Sequence, residues 1–393
     1  MGSPKLWEVS RLFLGWSKTQ QILFRTQILE PAATKKSLLH LATTEGFQTD
    51  LRRQRTFIVG VDISIKIEAV VAALKAAGVY YPGNGGQKLV LDRFFHYFCN
   101  LCRTPTTPVF FFDGPDRPAV KRGTRVIHRS TPLVEHLKTM ITSFGFYFYE
   151  APGEAEAELA HLNANGIIDG ILTEDSDAFI FGARCVIRTL GILSDLFARP
   201  SVENESVVYT LDAIASTEGV GLDQDGIFLC ALILGGDYGG GLAGAGPTIA
   251  RALAAHGLGH SLAHILRTSH GPALNQHLAS WRQDVREELE TNSSRQLDKR
   301  QPNLANNIPD DFPDVTVAQL YLSPLTSASA RFTGRPPDAN SWKPTSPNIA
   351  ELTQFCSTQF GWTGGDLLKK FNATLWPGIA FKLISSVGDI LSH

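Results

Sequence analysis

No stretch of this chain approaches the roughly 18 consecutive apolar residues that a membrane-spanning helix needs, so no membrane partner is expected. The opening residues, MGSPKLWEVS, lack a basic segment followed by an apolar one, which makes the cytosol or nucleus the default compartment. Cysteine is sparse: five residues, at 99, 102, 185, 230 and 356, form an odd, scattered set that suits reduced thiols rather than a disulfide framework. Cys99-Asn-Leu-Cys102 has metal-ligand spacing, but no second pair follows; two buried thiols on an amphipathic helix is the simpler reading. Excess charge is also missing, since a net charge of −2 argues against a uniformly basic nucleic-acid binder. No serine or cysteine nucleophile stands beside a suitable histidine, and no internal repeat is evident. With 393 residues and 43% hydrophobic content, the chain can build a large core and hold two or three domains.

What the chain does have is seven acidic residues spread over 175 positions. They are Asp62 in VGVDIS, Asp113 in VFFFDGP, Glu154 and Glu156 in EAPGEAEAE, Asp175 and Asp177 in LTEDSDAF, and Asp237 in LGGDY. Each sits where a strand is expected to end or a helix to begin. No His or Cys accompanies them, so the set reads as an oxygen-only cage for hard divalent cations. Carboxylates gathered that closely would repel one another unless metal compensated them. Two Mg²⁺ ions held this way suit the hydrolysis of a phosphodiester.

Short apolar runs rich in β-formers lie at 57–61, 109–112, 146–149 and 168–172, and helical patterns at roughly 66–77, 88–102, 132–144 and 153–164. This alternation predicts an α/β fold with a mostly parallel sheet covered on both faces, whose ligands bind at the carboxyl ends of the strands. Residues 189–206 read as a surface insertion, 226–237 as an apolar helix, 248–270 as renewed helix and 291–311 as a polar linker, with the tail from 312 folding against the core. Glu154 and Glu156 cannot share a face within a regular helix, but Pro152 and Gly153 place them where the chain is only entering one. Asp175 and Asp177 project to one side if the local backbone is extended.

A basic stretch, Arg117, Lys121, Arg122, Arg125, His128 and Arg129, follows Asp113 directly and suits phosphate contact. After Asp237 come Gly239, Gly240, Gly241, Gly244 and Gly246, which allow close backbone approach; their amides and the start of a helix at Pro247 could cradle a phosphate. His256, His260 and His264 are four apart, but Gly257 and Gly259 weaken that helix, so a polar surface is favoured over a zinc site.

MGxxxLWEV, VGVDIS, VFFFDGP, APGEAEAELAHLNANGIIDGILTEDSDAFIFGA and LGGDYGGGLAGAGPTIARAL resemble, in order, the signatures of the structure-specific 5′ nucleases: flap endonuclease, exonuclease, XPG and the Holliday-junction resolvase GEN. The likeness covers residues 1–9 and 29–290, and FPDV, Trp342 and LKKFNATLWPGIAF are similar to the region after the core in fungal proteins of the GEN type. It implies a PIN-like nuclease core over 1–225, a helix-two-turn-helix DNA-binding region over 226–290, a linker over 291–311 and a C-terminal extension over 312–393. It further implies that the seven acids bind two Mg²⁺ ions, for which Mn²⁺ can substitute. Lys121 and Arg125 then match basic residues that engage the scissile phosphate, while Gly2, Arg122, Arg129, Gly244, Gly246 and Pro247 match DNA-contacting positions. K⁺ at the helix-two-turn-helix, nuclear localisation, a flapped or branched duplex as partner, and dimerisation on junction DNA belong to the same expectation.

Three departures qualify the likeness. Thr248 and Ile249 follow Pro247 where the family has Lys or Arg, which weakens the grip on duplex. The segment 113–140 is short for the arch of flap endonuclease. Residues 10–27 interrupt LWEV-ILEPAATKKSLLHLA and read as an insert of the kind a retained intron would encode. Two rival readings stand beside the nuclease: a catalytically silent nucleic-acid-binding scaffold of the same fold, from which some acids would be missing, and an RNA-directed nuclease, for which no 2′-hydroxyl reader is evident.

Overall fold

The computed structural model describes residues 28–48, 56–80, 83–118, 120–121, 124–125, 131–189 and 205–391. Among the described residues seven strands form one sheet: β1 (Thr34–Ser37), β2 (Phe57–Asp62), β3 (Thr106–Phe112), β4 (Tyr147–Glu150), β5 (Gly170–Leu172), β6 (Cys185–Thr189) and β7 (Glu205–Thr210). Their order is β1-β7-β6-β5-β2-β3-β4. The pairs β2–β3, β2–β5, β3–β4 and β5–β6 are parallel, as expected. The sheet ends differently at one side, where β7 runs antiparallel to both β6 and β1.

Every residue of β2 and β3 is buried, which requires cover on both faces. Their side chains divide with period two: Phe57, Val59, Val61, Phe110 and Phe112 enter one core, and Ile58, Val109 and Phe111 the other. The first core is closed by α1 (Leu38–Thr43), α2 (Ile63–Ala76), α3 (Asn84–Leu101) and α4 (Pro132–Ser143), and the second by α5 (Ala155–Ala164) and α6 (Gln224–Leu234). Gly60 is where α5 comes down on the sheet; a Cβ there would run into Leu159 and Ile168. After α6, the paired helices α7 (Pro247–Ala255) and α8 (Leu258–Thr268) lead into α9 (Gly271–Thr291). The helical pattern expected over 248–270 is built as two helices, split by Gly257 at φ 89°.

The polar stretch 291–311 is packed rather than a free linker. Leu297, Leu304, Ala305 and Ile308 are buried. Glu288 of α9 accepts hydrogen bonds from Ser293 Oγ (2.6 Å) and from the backbone N–H (3.2 Å) and hydroxyl of Ser294. Burial works to raise the Glu288 carboxyl, but these bonds and His256 outweigh it and hold the group below its ordinary value. Beyond it come α10 (Val315–Leu322) and, after an irregular strap, α11 (Ile349–Phe360), α12 (Gly364–Thr374) and α13 (Trp376–Leu391). The strap runs along β4, the outer strand of the sheet: Tyr149 and Tyr147 donate to the carbonyls of Arg335 (3.1 Å) and Lys343 (3.0 Å), and Asn348 N–H donates to Ser143 O (2.8 Å). The tail then seals the first core, with Phe95 of α3 ringed by Phe144, Phe360, Trp362 and Phe371 at 5.2–6.2 Å. Of the expected insertion at 189–206, Thr189 ends β6 and Glu205 and Ser206 begin β7, while 190–204 lies outside the described residues.

Candidate active site

The acids lie along the carboxyl edge of the parallel strands. Asp62 is the last residue of β2 and pairs with Phe111, two positions before Asp113. Val61 pairs with Leu172, which brings the 173–177 turn to the same edge. Phe112 pairs with Glu150 at the end of β4, and Glu154 follows four residues later.

Hydrogen bonds join these turns. Asp62 caps α2, its Oδ1 accepting from Ile65 N–H at 3.2 Å. Asp113 Oδ1 accepts from Ala155 N–H at 3.0 Å, which seats it on the first turn of α5, between Glu154 and Glu156 in sequence. Gly114 N–H donates to Gly153 O (2.7 Å) and Asp116 N–H to Pro152 O (3.1 Å), fastening the turn after β3 to the one before α5. Glu154 is the N-cap residue with extended backbone, so the chain is entering the helix there, as its spacing from Glu156 demands. Tyr238 donates to Glu154 Oε2, carrying the loop that bears Asp237 to the same helix end. Asp175 and Asp177 meet differently from expectation. Ser176 between them is in the α region (φ −89°, ψ −13°), and Asp175 Oδ1 accepts from Asp177 N–H at 3.1 Å, so they form a side-chain-closed turn rather than an extended pair.

Asp62, Glu154, Glu156, Asp175, Asp177 and Asp237 are all buried. Asp113 is more open, and Arg117 Nη1 donates to its Oδ2 at 3.0 Å. Carboxylates are seldom buried unless cations, hydrogen bonds or metals offset their charge. Among the described residues no three His, Cys, Asp or Glu groups are already gathered closely enough to hold an ion. Their donor chemistry nonetheless fits a hard divalent cation: every donor is oxygen, and a carboxylate that accepts one backbone N–H keeps lone pairs for a metal.

The other expected positions divide. Lys121 and Arg125 fall on a short antiparallel hairpin after Asp113, Lys121 opposite Thr124 and Val120 opposite Arg125. Gly2, Arg122 and Arg129, the insert 10–27 and His128 lie outside the described residues. Gly244 takes φ 86°, Gly246 is the N-cap of α7 and Pro247 its first residue. The glycine loop before them folds back onto the end of α6, since a Cβ on Gly241 (φ 76°) would meet Ile233 O at 2.6 Å. His260 stands 2.9 Å from Asp223 and His256 3.8 Å from Glu288, each facing a carboxylate rather than sharing a zinc site.

Three residues close to these acids in the chain or in space escaped the sequence reading. Tyr238, directly after Asp237, bonds Glu154. Lys66 is buried one helical turn beyond Asp62, its Nζ 5.4 Å from the centroid of the Tyr97 ring; the four-residue spacing in DISIK was the available signal. Glu158, the third acid of EAEAE, is wholly buried on α5, and burial raises its carboxyl despite two hydrogen bonds from Ser327. Beside it the Tyr149 hydroxyl is pushed up to about 12 by burial and by Glu158.

The mostly parallel sheet with acids at the carboxyl ends of its strands, followed by a glycine loop and paired helices, is the arrangement that the likeness to the 5′ nucleases implied. Residues 145–237 match the XPG I-region, a span that includes Glu154, Glu156, Asp175, Asp177 and Asp237. The chain is similar in sequence to proteins of the RAD2, GEN and flap endonuclease types. The DNA repair protein RAD2 of Saccharomyces cerevisiae is 26% identical over 231 residues, 58% of this chain and 19% of that protein. Flap endonuclease GEN homolog 1 of Mus musculus is 37% identical over 125 residues, 32% of this chain and 13% of that protein, so this chain spans only a small part of these relatives. Among solved structures, the Holliday junction-resolving enzyme GEN1 in complex with product DNA and Mg²⁺ matches with a TM-score of 0.66 and 28% identity, over 90% of this chain and 77% of that one.

Proposed function

We propose that this chain is the core of a Mg²⁺-dependent, structure-specific DNA endonuclease that hydrolyses phosphodiesters at 5′ flaps or at branched and Holliday junctions, in repair and recombination in the nucleus. One observation carries the reading: Asp62 and Asp113 stand at the ends of neighbouring parallel strands, and Asp113 is hydrogen bonded at 3.0 Å to the first turn of α5, which carries Glu156 and begins at Glu154. The relatives support it, since they include flap endonucleases and a junction-resolving enzyme solved with product DNA and Mg²⁺.

The seven carboxylates hold the cations. Bound Mg²⁺ supplies Lewis acidity and a water of lowered pKa. Lys66, and Lys121 and Arg125 from the hairpin, offset charge on the phosphate as it reacts. The amides at the start of α7, with Gly244, Gly246 and Pro247, contact the duplex backbone, and K⁺ binds beside them. Gly2, Arg122 and Arg129 extend that contact, and Mn²⁺ substitutes for Mg²⁺. Recognition then depends on DNA shape and phosphate charge rather than base sequence. The protein dimerises on junction DNA, and 1–225, 226–290 and 312–393 act as core, duplex-binding region and packed extension.

Purified protein incubated with labelled flap, nicked and four-way DNA plus Mg²⁺ tests this. Cleavage at the branch point, abolished by EDTA, is expected. Tight binding to all three without cleavage would contradict it and favour a silent scaffold.

A further inference from the structure

One stretch of the C-terminal extension touches the supports of the acids on three elements. Tyr321 of α10 is buried, with its ring 5.0 Å from Tyr238 and 5.8 Å from Phe181. Tyr238 is the donor to Glu154, and Phe181 closes the turn that begins at Asp177, its N–H donating to Asp177 O at 3.3 Å. Val317, one turn earlier on α10, lies against Gly239 in the loop that follows Asp237. Further along, Leu325 O lies close over Gly153, where an added Cβ would stand 3.1 Å away. Ser327 then grips Glu158 twice: its N–H donates to Oε2 at 2.7 Å and its hydroxyl to Oε1. A small turn holds Ser327 in place, Thr326 N–H donating to Ser329 Oγ at 2.9 Å. Glu158 N–H in turn donates to Glu154 O at 3.2 Å, so the gripped residue is bonded directly to the backbone of an acid.

We propose that Ser327 and Tyr321 are positioning residues, through which the C-terminal extension sets the placement of Glu154 and Glu156 for the cation; the inference rests on the metal-dependent reading above. Ser327 acts through Glu158 on the first turn of α5. Tyr321 acts through Tyr238 on the carboxylate of Glu154. The extension is thereby part of the active centre, although it contributes no ligand. A carboxylate fixed from two sides surrenders less freedom when it binds a cation, and the loss of such outer support typically weakens metal binding.

The test uses the full chain and Mn²⁺ alone, without DNA, followed by electron paramagnetic resonance. Ser327→Ala is expected to weaken Mn²⁺ binding about tenfold, the size of effect seen when a support of ligating groups is lost. Ser327→Thr, which keeps the hydroxyl, is expected to bind as wild type does. Thermal unfolding in EDTA monitors folding separately: a lowered midpoint with unchanged Mn²⁺ affinity in Ser327→Ala would overturn the proposal and leave a plain staple. Should Ser327→Ala fail to fold, Tyr321→Leu, which removes the ring packed on Tyr238, decides: weakened Mn²⁺ binding supports the proposal and wild-type binding overturns it. Wild-type protein that neither binds Mn²⁺ nor cleaves flap DNA would sink the functional reading, and this inference with it. Wild-type protein that does both, beside an unaltered Ser327→Ala, sinks this inference alone.

Discussion

Glu288→Gln should reveal how the packed stretch after α9 is held. The wild-type carboxylate is 2% exposed and accepts from the Ser293 hydroxyl, the Ser294 hydroxyl and the Ser294 N–H. Glutamine keeps one acceptor oxygen, and its NH₂ faces hydroxyls that must rotate to receive it. Hydrogen bonds to an ionised group contribute about 1.5–3 kcal/mol each, and since part of the set survives, a loss of roughly 2 kcal/mol is expected near neutral pH. The pH dependence follows from the lowered pKa of Glu288. A carboxyl whose folded value lies below its unfolded one stabilises the fold above the ordinary carboxylate range, and that stabilisation fades as pH falls through the folded value. Urea unfolding of wild type and variant should therefore show a gap near pH 7 that narrows as pH drops below about 4. A gap that stays constant or widens on acidification would refute the reasoning.

Other expectations concern the site, the tail and the DNA. Gly114→Ala places a Cβ on the backbone carbonyl of Ala151, beside Pro152 O at 2.6 Å, and backbone cannot yield as a side chain can. A thermal melt should show a destabilisation of about 3 kcal/mol or more; a change under about 1 kcal/mol would mean that the two turns are not fastened as described. Phe371→Ala removes one wall of the cage around Phe95 and should cost about 3–5 kcal/mol in denaturant unfolding, whereas a near-neutral result would mean the tail is not seated on α3. Affinity for four-way DNA should fall linearly on a log–log plot against salt, because phosphate contacts dominate; a flat response would exclude that mode of binding.

The central strands, and the aspartates at their ends, were legible because parallel strands covered on both faces are near-continuous apolar runs, and FIVGV and VFFF each stop at an aspartate. The entry of Glu154 and Glu156 into α5 followed from Pro152 and Gly153. What could not be read depended on partners distant in the chain. Glu288 looks like any acid on a polar helix until Ser293 and Ser294 fold back onto it. Ser327 lies 169 residues from Glu158, and no periodicity connects them. Asp175 and Asp177 have strand-like spacing, yet a local side-chain-to-backbone bond prevails over the extended form. The antiparallel edge formed by β1 and β7 was hidden because the half-exposed TKKS carries no apolar signal.

The most direct test of the account replaces Asp175 and Asp177 together with asparagine. Cleavage of labelled flap and four-way DNA in Mg²⁺ is expected to vanish, while binding to the same DNA in its absence stays near wild type. Undiminished cleavage by the Asp175→Asn, Asp177→Asn protein would contradict the claim that the carboxyl edge of this sheet does the chemistry.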